Sequence, residues 1–365
     1  MTHTPDEPLP YTASPLPARV AVTGAAGVLG VHLVDRLLRS GCEVRTLDLR
    51  PVPAAPGLTA VTGDIRDPAA LAEAFRGAEA VVHSASALPS YSAADIRSIV
   101  VEGTAAVLAA AREAAVPRVL HISSTAVYGL PRTVPTPEHC PRAPVDPYSS
   151  AKATAEETAE RFRDGGTGCL TVLRPKTFLG PVRMGLFDML FQWAEEGKNF
   201  PVLGTGDVRS QMLAVDDLVD AVLTVLCAPS RIANDTYNIA AAEFGTLRED
   251  FQCVLDAAGH GRRVVSIPSG PAVAVLRTLA RLKLSPVYGR LVSKLLADSY
   301  VSVDKARDRL GFRPRLSNRD AILQTYDWWR GRRAAAASGS APAGVGRTSR
   351  DPWRQGALAL AKAFF

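Results

Sequence analysis

The sequence predicts an α/β protein whose core is a doubly wound parallel sheet, with a smaller lobe towards the C-terminus. Two observations support this fold class. From residue 19 to residue 175, short β-branched apolar runs alternate with segments of helical pattern, and strands buried on both faces have this near-continuous apolar composition. Beyond Pro175 the alternation becomes irregular and helical patterns predominate. We therefore expect the regular part to form the sheet and most of residues 176–330 to form the lobe.

The individual elements follow from the apolar periodicity. Before Pro175, apolar runs predict strands at residues 19–23, 44–49, 59–62, 80–83, 118–124 and 170–174. Helical patterns lie between these strands, at residues 68–75 and 96–115 and in the segment that begins near Tyr148. Later helices are predicted at residues 185–196, 217–226, 246–258, 270–282, 288–296, 304–312 and 318–330, with strands at 210–215, 235–239 and 264–267.

A glycine turn between the first strand and the first helix predicts a dinucleotide site. Gly24, Gly27 and Gly30, with Val28 and Leu29 between the last two, follow the strand and open the helix. Glycines here let the backbone turn tightly and approach a pyrophosphate, whose negative charge the helix N-terminus faces. We therefore expect a Rossmann domain over residues 18–175, with later segments contributing to it.

The ends of the next strands predict the remaining cofactor contacts. Asp48 ends the second strand within reach of an adenosine ribose. Its carboxylate would repel a 2′-phosphate and favours NAD, whereas Arg50 leaves NADP open because an arginine can pair with that phosphate. His83 is interpreted as a packed structural residue. Further contacts are expected at Asp64, Ile65, Ser84, Ala85, Ser86 and Pro175.

Tyr148 and Lys152 carry the predicted chemistry. Residues four apart share one face of a helix, so the ammonium lies beside the phenol and lowers the pKa of the phenol. The phenol then becomes an effective acid and base near neutral pH. Ser124, at the end of the fifth strand, is expected to hydrogen-bond the substrate oxygen and hold it against the tyrosine.

Composition and charge argue against other classes of protein. The net charge of +6 is concentrated from Arg330 onward, so the body is near neutral and nucleic acid is not an expected partner. The five cysteines are scattered without a C-x-x-C pair, which indicates reduced thiols and no metal site. The apolar runs are shorter than a membrane span. We expect a cytoplasmic enzyme with a small-molecule substrate.

The two ends of the chain differ in composition from the predicted folded body. Residues 1–17 are proline-rich and predict a disordered leader, and residues 331–350 predict a flexible linker. Residues 351–365 then predict a basic amphipathic helix. It either contacts an anionic membrane surface peripherally or folds back onto the body or a second subunit, and the pattern alone favours neither alternative.

Several short runs of the sequence form a recognisable set. They are residues 23–30, 63–65, 101–104, 123–129, 173–175, 180–181 and 215–217, together with Tyr148 and Lys152. With this set the chain resembles the extended short-chain dehydrogenase/reductase family, the NAD-dependent epimerase/dehydratase group, over residues 19–330. The resemblance implies that Ser124, Tyr148 and Lys152 form the catalytic triad, that Lys152 also holds the nicotinamide ribose, and that the protein is a homodimer.

Several positions depart from the pattern of the nucleotide-sugar enzymes in this family. Thr177 and Ser210 stand where those enzymes carry an asparagine and an arginine, and Val100 replaces a frequent asparagine. The Leu-Arg-Pro run at residues 173–175 and the apolar stretch 267–301 are more similar to the 3β-hydroxysteroid dehydrogenase and dihydroflavonol reductase branch. That stretch could bury an apolar ring system or simply form the core of the lobe.

Three functions are therefore weighed. The leading hypothesis is an NAD(P)-dependent oxidoreductase that transfers a hydride between a secondary alcohol or ketone and the nicotinamide. The second is a nucleotide-sugar 4-epimerase or dehydratase that uses tightly bound NAD without consuming it. The third, a non-catalytic NAD(P)-sensing regulator, does not need the Ser124, Tyr148 and Lys152 set that this sequence contains.

Overall fold

The main sheet gathers strands from both halves of the chain, as seen in a computed structural model that describes residues 13–130, 133–166, 168–182, 187–281, 295–337 and 362. Within these residues the sheet has seven strands in the order β3-β2-β1-β4-β5-β6-β10, and all neighbours are parallel. Its strands are β1 (Arg19–Thr23), β2 (Glu43–Asp48), β3 (Leu58–Thr62), β4 (Ala80–His83), β5 (Arg118–Ile122), β6 (Cys169–Pro175) and β10 (Thr236–Ile239). The doubly wound parallel sheet predicted from the sequence is confirmed.

Helices cover both faces of this sheet because its strands are apolar on both faces. Val20 and Val22 of β1 pack with the helices of one face, whereas Ala21 between them packs with the helices of the other. The helices before β6 are α1 (Val28–Arg39), α2 (Pro68–Phe75), α3 (Ala93–Ile96), α4 (Gly103–Glu113) and α5 (Pro147–Asp164). Three helices beyond β6 cover the face of the sheet on which Val20 and Val22 lie. They are α7 (Val215–Cys227), α8 (Ser230–Ala233) and α11 (Asp304–Leu310).

A second apolar cluster forms the smaller lobe. It is built around the buried side chains of Phe191, Trp193, Phe251 and Tyr326. The elements of this part of the chain are β7 (Phe178–Leu179), α6 (Phe187–Glu195), β8 (Phe200–Leu203), β9 (Leu213–Ala214), α9 (Leu247–Ala258), β11 (Val264–Ile267), α10 (Ser269–Arg281) and α12 (Asn318–Ala337). The short strands pair as β8 with β11 and β7 with β9.

Several element boundaries differ from the sequence prediction. The strand expected at residues 210–215 is only Leu213–Ala214, because its partner β7 is two residues long. The fifth strand ends at Ile122, since Ser124 caps a 3₁₀ turn at Thr125–Tyr128. The helix expected at residues 96–115 contains a π-helical segment, Arg97–Glu102. These differences reflect tertiary pairing and packing rather than local propensity.

The two ends of the body also differ from the prediction. Residues 13–17, assigned to the disordered leader, contact the body, where Ser14 N donates to the Cys227 carbonyl at 2.9 Å and Leu16 packs on the core. At the other end α12 continues to Ala337, into the segment predicted as a linker, because its alanine run favours helix. The rest of the predicted leader and linker, and the part of the predicted 288–296 helix before residue 295, lie outside the described residues.

The predicted amphipathic helix at residues 351–365 also lies outside the described residues, with one exception. Lys362 donates to both carboxylate oxygens of Glu196, at 2.8 and 2.9 Å. Among the helices that the structure describes, none has the length and apolar character needed to cross a membrane. All five cysteines are free thiols.

Candidate functional site

A single cleft of about 590 Å³ at the carboxyl edge of the main sheet contains every residue that the sequence assigned to the site. The binding and catalytic roles assigned to these residues remain predictions. They are Gly24, Gly27, Val28, Leu29, Gly30, Asp48, Arg50, Asp64, Ile65, Ser84, Ala85, Ser86, Ser124, Tyr148, Lys152 and Pro175.

The glycine turn leaves bare backbone at one wall of this cleft. Gly24 has a φ of +73°, and a Cβ there would lie 2.6 Å from the Ala85 amide nitrogen. A Cβ on Gly30 would lie 2.5 Å from the Ala25 Cα. No side chain caps the N-terminus of α1, whose N-cap residue is Gly27. An uncapped helix start beside bare backbone suits a pyrophosphate, so the turn fits the dinucleotide predicted for it.

Asp48 is held rigidly at the end of β2. Its Oδ2 accepts from Ala26 N and its Oδ1 from Arg50 N, both at 2.9 Å. The Arg50 guanidinium turns back and donates to the Ala26 carbonyl at 2.5 Å. Each carboxylate oxygen has a second lone pair, so Asp48 keeps the capacity to accept from the hydroxyls of a ribose.

Asp64, expected among the cofactor contacts, forms a close pair with Arg66, a residue that the sequence analysis did not assign to the site. Arg66 Nε donates to Asp64 Oδ1 at 2.9 Å, and its Nη2 donates to Oδ2 at 2.5 Å. These hydrogen bonds hold the pKa of the Asp64 carboxyl below its usual value. The acid at this position is therefore ionised and already paired.

The serines that follow β4 direct their hydroxyls to backbone carbonyls. Ser84 Oγ donates to the Thr23 carbonyl at 2.7 Å, and Ser86 Oγ donates to the Ala87 carbonyl at 3.2 Å. Both small side chains line the cleft together with the glycine turn and Tyr148.

Helix α5 sets the positions of Tyr148 and Lys152. Asp146 caps the helix through a capping box with Ser149, and Pro147 occupies its first turn. Because the start of the helix is fixed, the phenol and the ammonium four residues later both line the cleft. Ser124 lines the same cleft, and its Oγ accepts from Ala126 N at 3.1 Å.

Lys152 is 3% exposed, and its ammonium donates to the Ile122 carbonyl at 2.9 Å. Burial lowers the pKa of this lysine to about 8, and the nearby Glu156 carboxylate opposes the shift. The charged form of Lys152 is thus less favoured than that of an exposed lysine. Its charge becomes sensitive to the groups around it.

Two buried histidines lie on adjacent strands within electrostatic reach of Lys152. His83 and His121 are partners across β4 and β5, with ring centroids 5.4 Å apart. His83 is hydrogen-bonded to the Thr23 and Thr104 hydroxyls at 2.8 and 3.1 Å, which agrees with the structural role expected for it. Burial lowers the pKa of His83 to about 3 and that of His121 well below its usual value, so both imidazoles are neutral.

The cleft also contains residues that the sequence analysis did not assign to the site. Lys176, Thr177 and Phe178 follow Pro175 along the cleft wall. Lys176 is 5% exposed, and its ammonium donates to the carbonyl and the hydroxyl of Ser299 at 2.7 and 2.9 Å. Residues that directly follow the end of a parallel strand tend to line such clefts, so the position of Lys176 after β6 was a usable signal.

The close approach of Gly30 leads to a first prediction. Gly30→Ala should weaken NAD binding and lower the free energy of unfolding by about 1–3 kcal/mol, because the new methyl collides with backbone that cannot move aside. Gly270→Ala is the matched control, since Gly270 also lies near the start of a helix but a methyl group on it would meet nothing within 4 Å. Calorimetric titration with NAD and urea unfolding measure the two effects. Equal behaviour of the two variants would contradict the steric argument.

Lys152 leads to a second prediction, in the absence of cofactor. Its pKa is about 8 in the folded protein and 10.5 when unperturbed. The unfolded state therefore binds more protons between these values, and stability should rise with pH across this window. Lys152→Met removes the buried charge, so this variant should lack the rise and be more stable than wild type at pH 7, by about 1–3 kcal/mol.

Urea unfolding of wild type and Lys152→Met at neutral and alkaline pH measures this difference. Lys198→Met is the control, because Lys198 is only half-buried. A Lys152→Met variant that is less stable than wild type at neutral pH would show that the buried ammonium carries no desolvation penalty.

Comparison with known proteins agrees with this geometry. The model of the NAD dependent epimerase/dehydratase family matches residues 20–240. An uncharacterised protein of Sinorhizobium fredii is 34% identical over 349 residues, covering 93% of this chain and 84% of that protein. A 3β-hydroxysteroid dehydrogenase/Δ5→4-isomerase of Mycobacterium tuberculosis is 30% identical over 338 residues, covering 85% of this chain and 90% of that enzyme.

Among solved structures, a dTDP-glucose 4,6-dehydratase of Streptomyces venezuelae with NAD bound is 26% identical and superposes with a TM-score of 0.70. The match covers 87% of this chain and 98% of that one. With the glycine turn, the parallel sheet and the family match in agreement, the chain belongs to the NAD-dependent epimerase/dehydratase family of extended short-chain dehydrogenases/reductases, enzymes whose cofactor is NAD.

Proposed function

We propose that the protein is an NAD-dependent oxidoreductase that interconverts a secondary alcohol and a ketone. The observation that supports this most strongly is that Ser124, Tyr148 and Lys152 line the same cleft as the glycine turn and Asp48. A hydroxyl, a phenol and an ammonium in one cleft can hold a substrate oxygen and move its proton.

Each side chain has a distinct task in this proposal. The Ser124 hydroxyl donates to the substrate oxygen and orients it. The Tyr148 phenol exchanges a proton with that oxygen, and the Lys152 ammonium stabilises the phenolate by charge. The bound NAD supplies the acceptor or donor of the hydride.

The glycine turn and Asp48 hold the opposite end of the cofactor in this scheme. Asp48 favours NAD because its carboxylate would repel a 2′-phosphate. Arg50 lies 3.9 Å from that carboxylate in an ion pair and is the group that would have to turn outwards to accept NADP. Binding of NADP as tightly as NAD would therefore contradict this assignment of Asp48.

A nucleotide-sugar epimerase or dehydratase is the second candidate, since the dTDP-glucose dehydratase described above shares the fold and the family. The substrate side of the cleft offers less support for it. Ser210 stands where an arginine was expected for such substrates, and its carbonyl accepts from Asn318. The neighbouring Arg209 lies over the rings of Phe244 and Tyr300, at 4.7 and 5.3 Å, and is not among the residues that line the cleft.

The apolar stretch 267–301 of the lobe was an argument from the sequence for an apolar substrate. Part of the predicted apolar stretch 267–301 lies outside the described residues. Within the described part, Val273, Leu276 and Leu295 pack with Leu203 in a small cluster of the lobe. This packing supports the interpretation of these residues as lobe core, so the preference for an apolar substrate rests on the 3β-hydroxysteroid dehydrogenase relative.

The role of Tyr148 can be tested by removing its phenolic oxygen alone. Tyr148→Phe should lower kcat by about 10²- to 10⁴-fold while leaving the affinity for NAD close to that of wild type, because only the proton-transferring hydroxyl is removed. Tyr300→Phe is the control, since that phenol lies against Phe244 outside the cleft. Steady-state rates and NAD titration measure both effects. Full activity in Tyr148→Phe would refute the mechanism.

The substrate class is testable by stoichiometry. Purified protein is incubated with NAD and either a 3β-hydroxysteroid or dTDP-glucose, and the absorbance of reduced nicotinamide is followed together with the product. We expect NADH to accumulate in proportion to ketone formed from the steroid alcohol. Conversion of dTDP-glucose without net NADH would instead establish the epimerase or dehydratase alternative.

A further inference from the structure

We infer that Glu156 is the positioning residue of this site, a buried ionic anchor that ties the helix of Tyr148 and Lys152 to the strand ends that carry Ser124 and Pro175. The inference rests on the proposed function of these residues. Glu156 lies on α5, one turn beyond Lys152, and is completely buried. It is not among the residues that line the cleft, so it acts through its neighbours.

The carboxylate of Glu156 is saturated by donors from three other segments. Its Oε1 accepts from the Ser123 hydroxyl, in a short hydrogen bond, and from Arg174 Nε at 3.0 Å. Its Oε2 accepts from Arg174 Nη2 at 2.6 Å and from Arg142 Nη1 at 3.3 Å. The helix is thereby joined to the end of β5, to β6 and to the segment that precedes α5.

Two of these partners directly precede a residue of the cleft. Ser123 precedes Ser124, and Arg174 precedes Pro175. Since Lys152 lies one helical turn before Glu156, the anchor fixes the relative position of three separate parts of the cleft. A displacement of about 1 Å between catalytic groups can lower a rate by about 100-fold, so such an anchor has a large effect on turnover.

The Arg174 side of the anchor is fixed in turn. Arg174 Nη1 donates to the Tyr128 hydroxyl at 2.8 Å and to the Glu138 carbonyl at 3.1 Å. Tyr128 donates to Asn238 Oδ1 of β10 at 2.9 Å. The chain of contacts reaches the edge strand of the sheet, so the guanidinium has little freedom to follow Glu156 if the helix shifts.

Stability alone is a weak explanation for this arrangement. A buried ion pair is often no more stabilising than apolar residues of the same volume, because removing both charges from water offsets their attraction. What the pair provides is a unique geometry, since a saturated carboxylate between fixed donors has one position. The Glu156 carboxylate lies one helical turn from Lys152, outside the cleft that contains the predicted reactive groups.

Glu156 also affects the charge of Lys152. Among the described residues, Glu156 on the same helix and His83 and His121 on β4 and β5 lie within electrostatic reach of Lys152, and the histidines are neutral. Tyr148, one turn earlier on the helix, lines the same cleft as Lys152. Glu156 opposes the effect of burial, so removing its charge should lower the pKa of Lys152 further. Arg174 and Arg142, which now pair with the carboxylate, would then act in the same direction.

The test compares Glu156→Gln with Glu160→Gln in the full-length protein. Glu160 lies one turn further along α5 and pairs with Arg142 at 2.7 Å, but no hydrogen bond joins it to Ser123 or Arg174 among the described contacts. Three quantities are measured: the affinity for NAD, the kcat and its pH profile with the substrate that the stoichiometry assay identifies, and the midpoint at which the ¹⁵N signal of Lys152 Nζ titrates.

We expect Glu156→Gln to bind NAD and to lose kcat by about 10- to 100-fold. The titration midpoint of Lys152, and with it the alkaline limb of the kcat profile, should move to lower pH. Glu160→Gln should behave as wild type in all three measurements. A merely structural role would lower the stability of Glu156→Gln but leave its kcat, at a pH where Lys152 is charged, close to that of wild type.

Ser123→Ala keeps the inference testable if Glu156→Gln does not fold. It removes one hydrogen bond of the anchor and leaves the ion pair intact, so kcat should fall while the Lys152 midpoint stays in place. Wild-type kcat in Ser123→Ala would by itself overturn the inference, and so would wild-type kcat in a folded Glu156→Gln variant. Failure of the proposed function is distinguishable, because it appears as an active Tyr148→Phe variant and leaves the Lys152 midpoint as an independent readout.

Discussion

The strands of the main sheet all run in one direction, and the site depends on this constraint. Because parallel strands place their carboxyl ends at one edge, segments far apart in the chain meet there. Gly24 follows β1, Asp48 ends β2, Ser124 follows β5 and Pro175 ends β6, and all of them line one cleft. The alternation of apolar side chains on both faces of these strands lets helices cover the sheet, so this edge remains available for a ligand.

The parts of the site that were predictable from the sequence are those set by local backbone chemistry. Gly24 and Gly30 are required by contacts of 2.6 and 2.5 Å that a Cβ would make with backbone, and the capped start of α5 places Tyr148 and Lys152 on one face. Glu156 was not identified, although its spacing of four from Lys152 put it on the same face. Its partner Ser123 follows β5 and its partner Arg174 lies in β6, and only the packing of α5 on β5 and β6 reveals why a carboxylate is buried there.

Two of the predicted element boundaries were wrong. The run at residues 210–215 has strand-like composition, yet β9 is limited to Leu213–Ala214 by the two residues that β7 offers for pairing. The alanine run at the end of α12 extends a helix into a segment whose composition had indicated a linker. For β9, local composition competes with a pairing partner elsewhere in the chain, and a single sequence does not contain the position of that partner. The extension of α12 follows instead from the helix propensity of alanine.

The charge of the buried Lys152 ammonium depends on side chains from several parts of the chain. The pKa of Lys152, about 8, lies close to neutral pH. Modest changes in the electric field around the ammonium therefore alter the fraction of Lys152 that is charged near neutrality. The neutral state of His83 and His121 keeps two further cations away from it. Glu156 contributes the opposing negative field while it is itself held by Arg174 and Arg142. The charge on which the Tyr148 phenolate would depend is therefore set by side chains behind the cleft as much as by those within it.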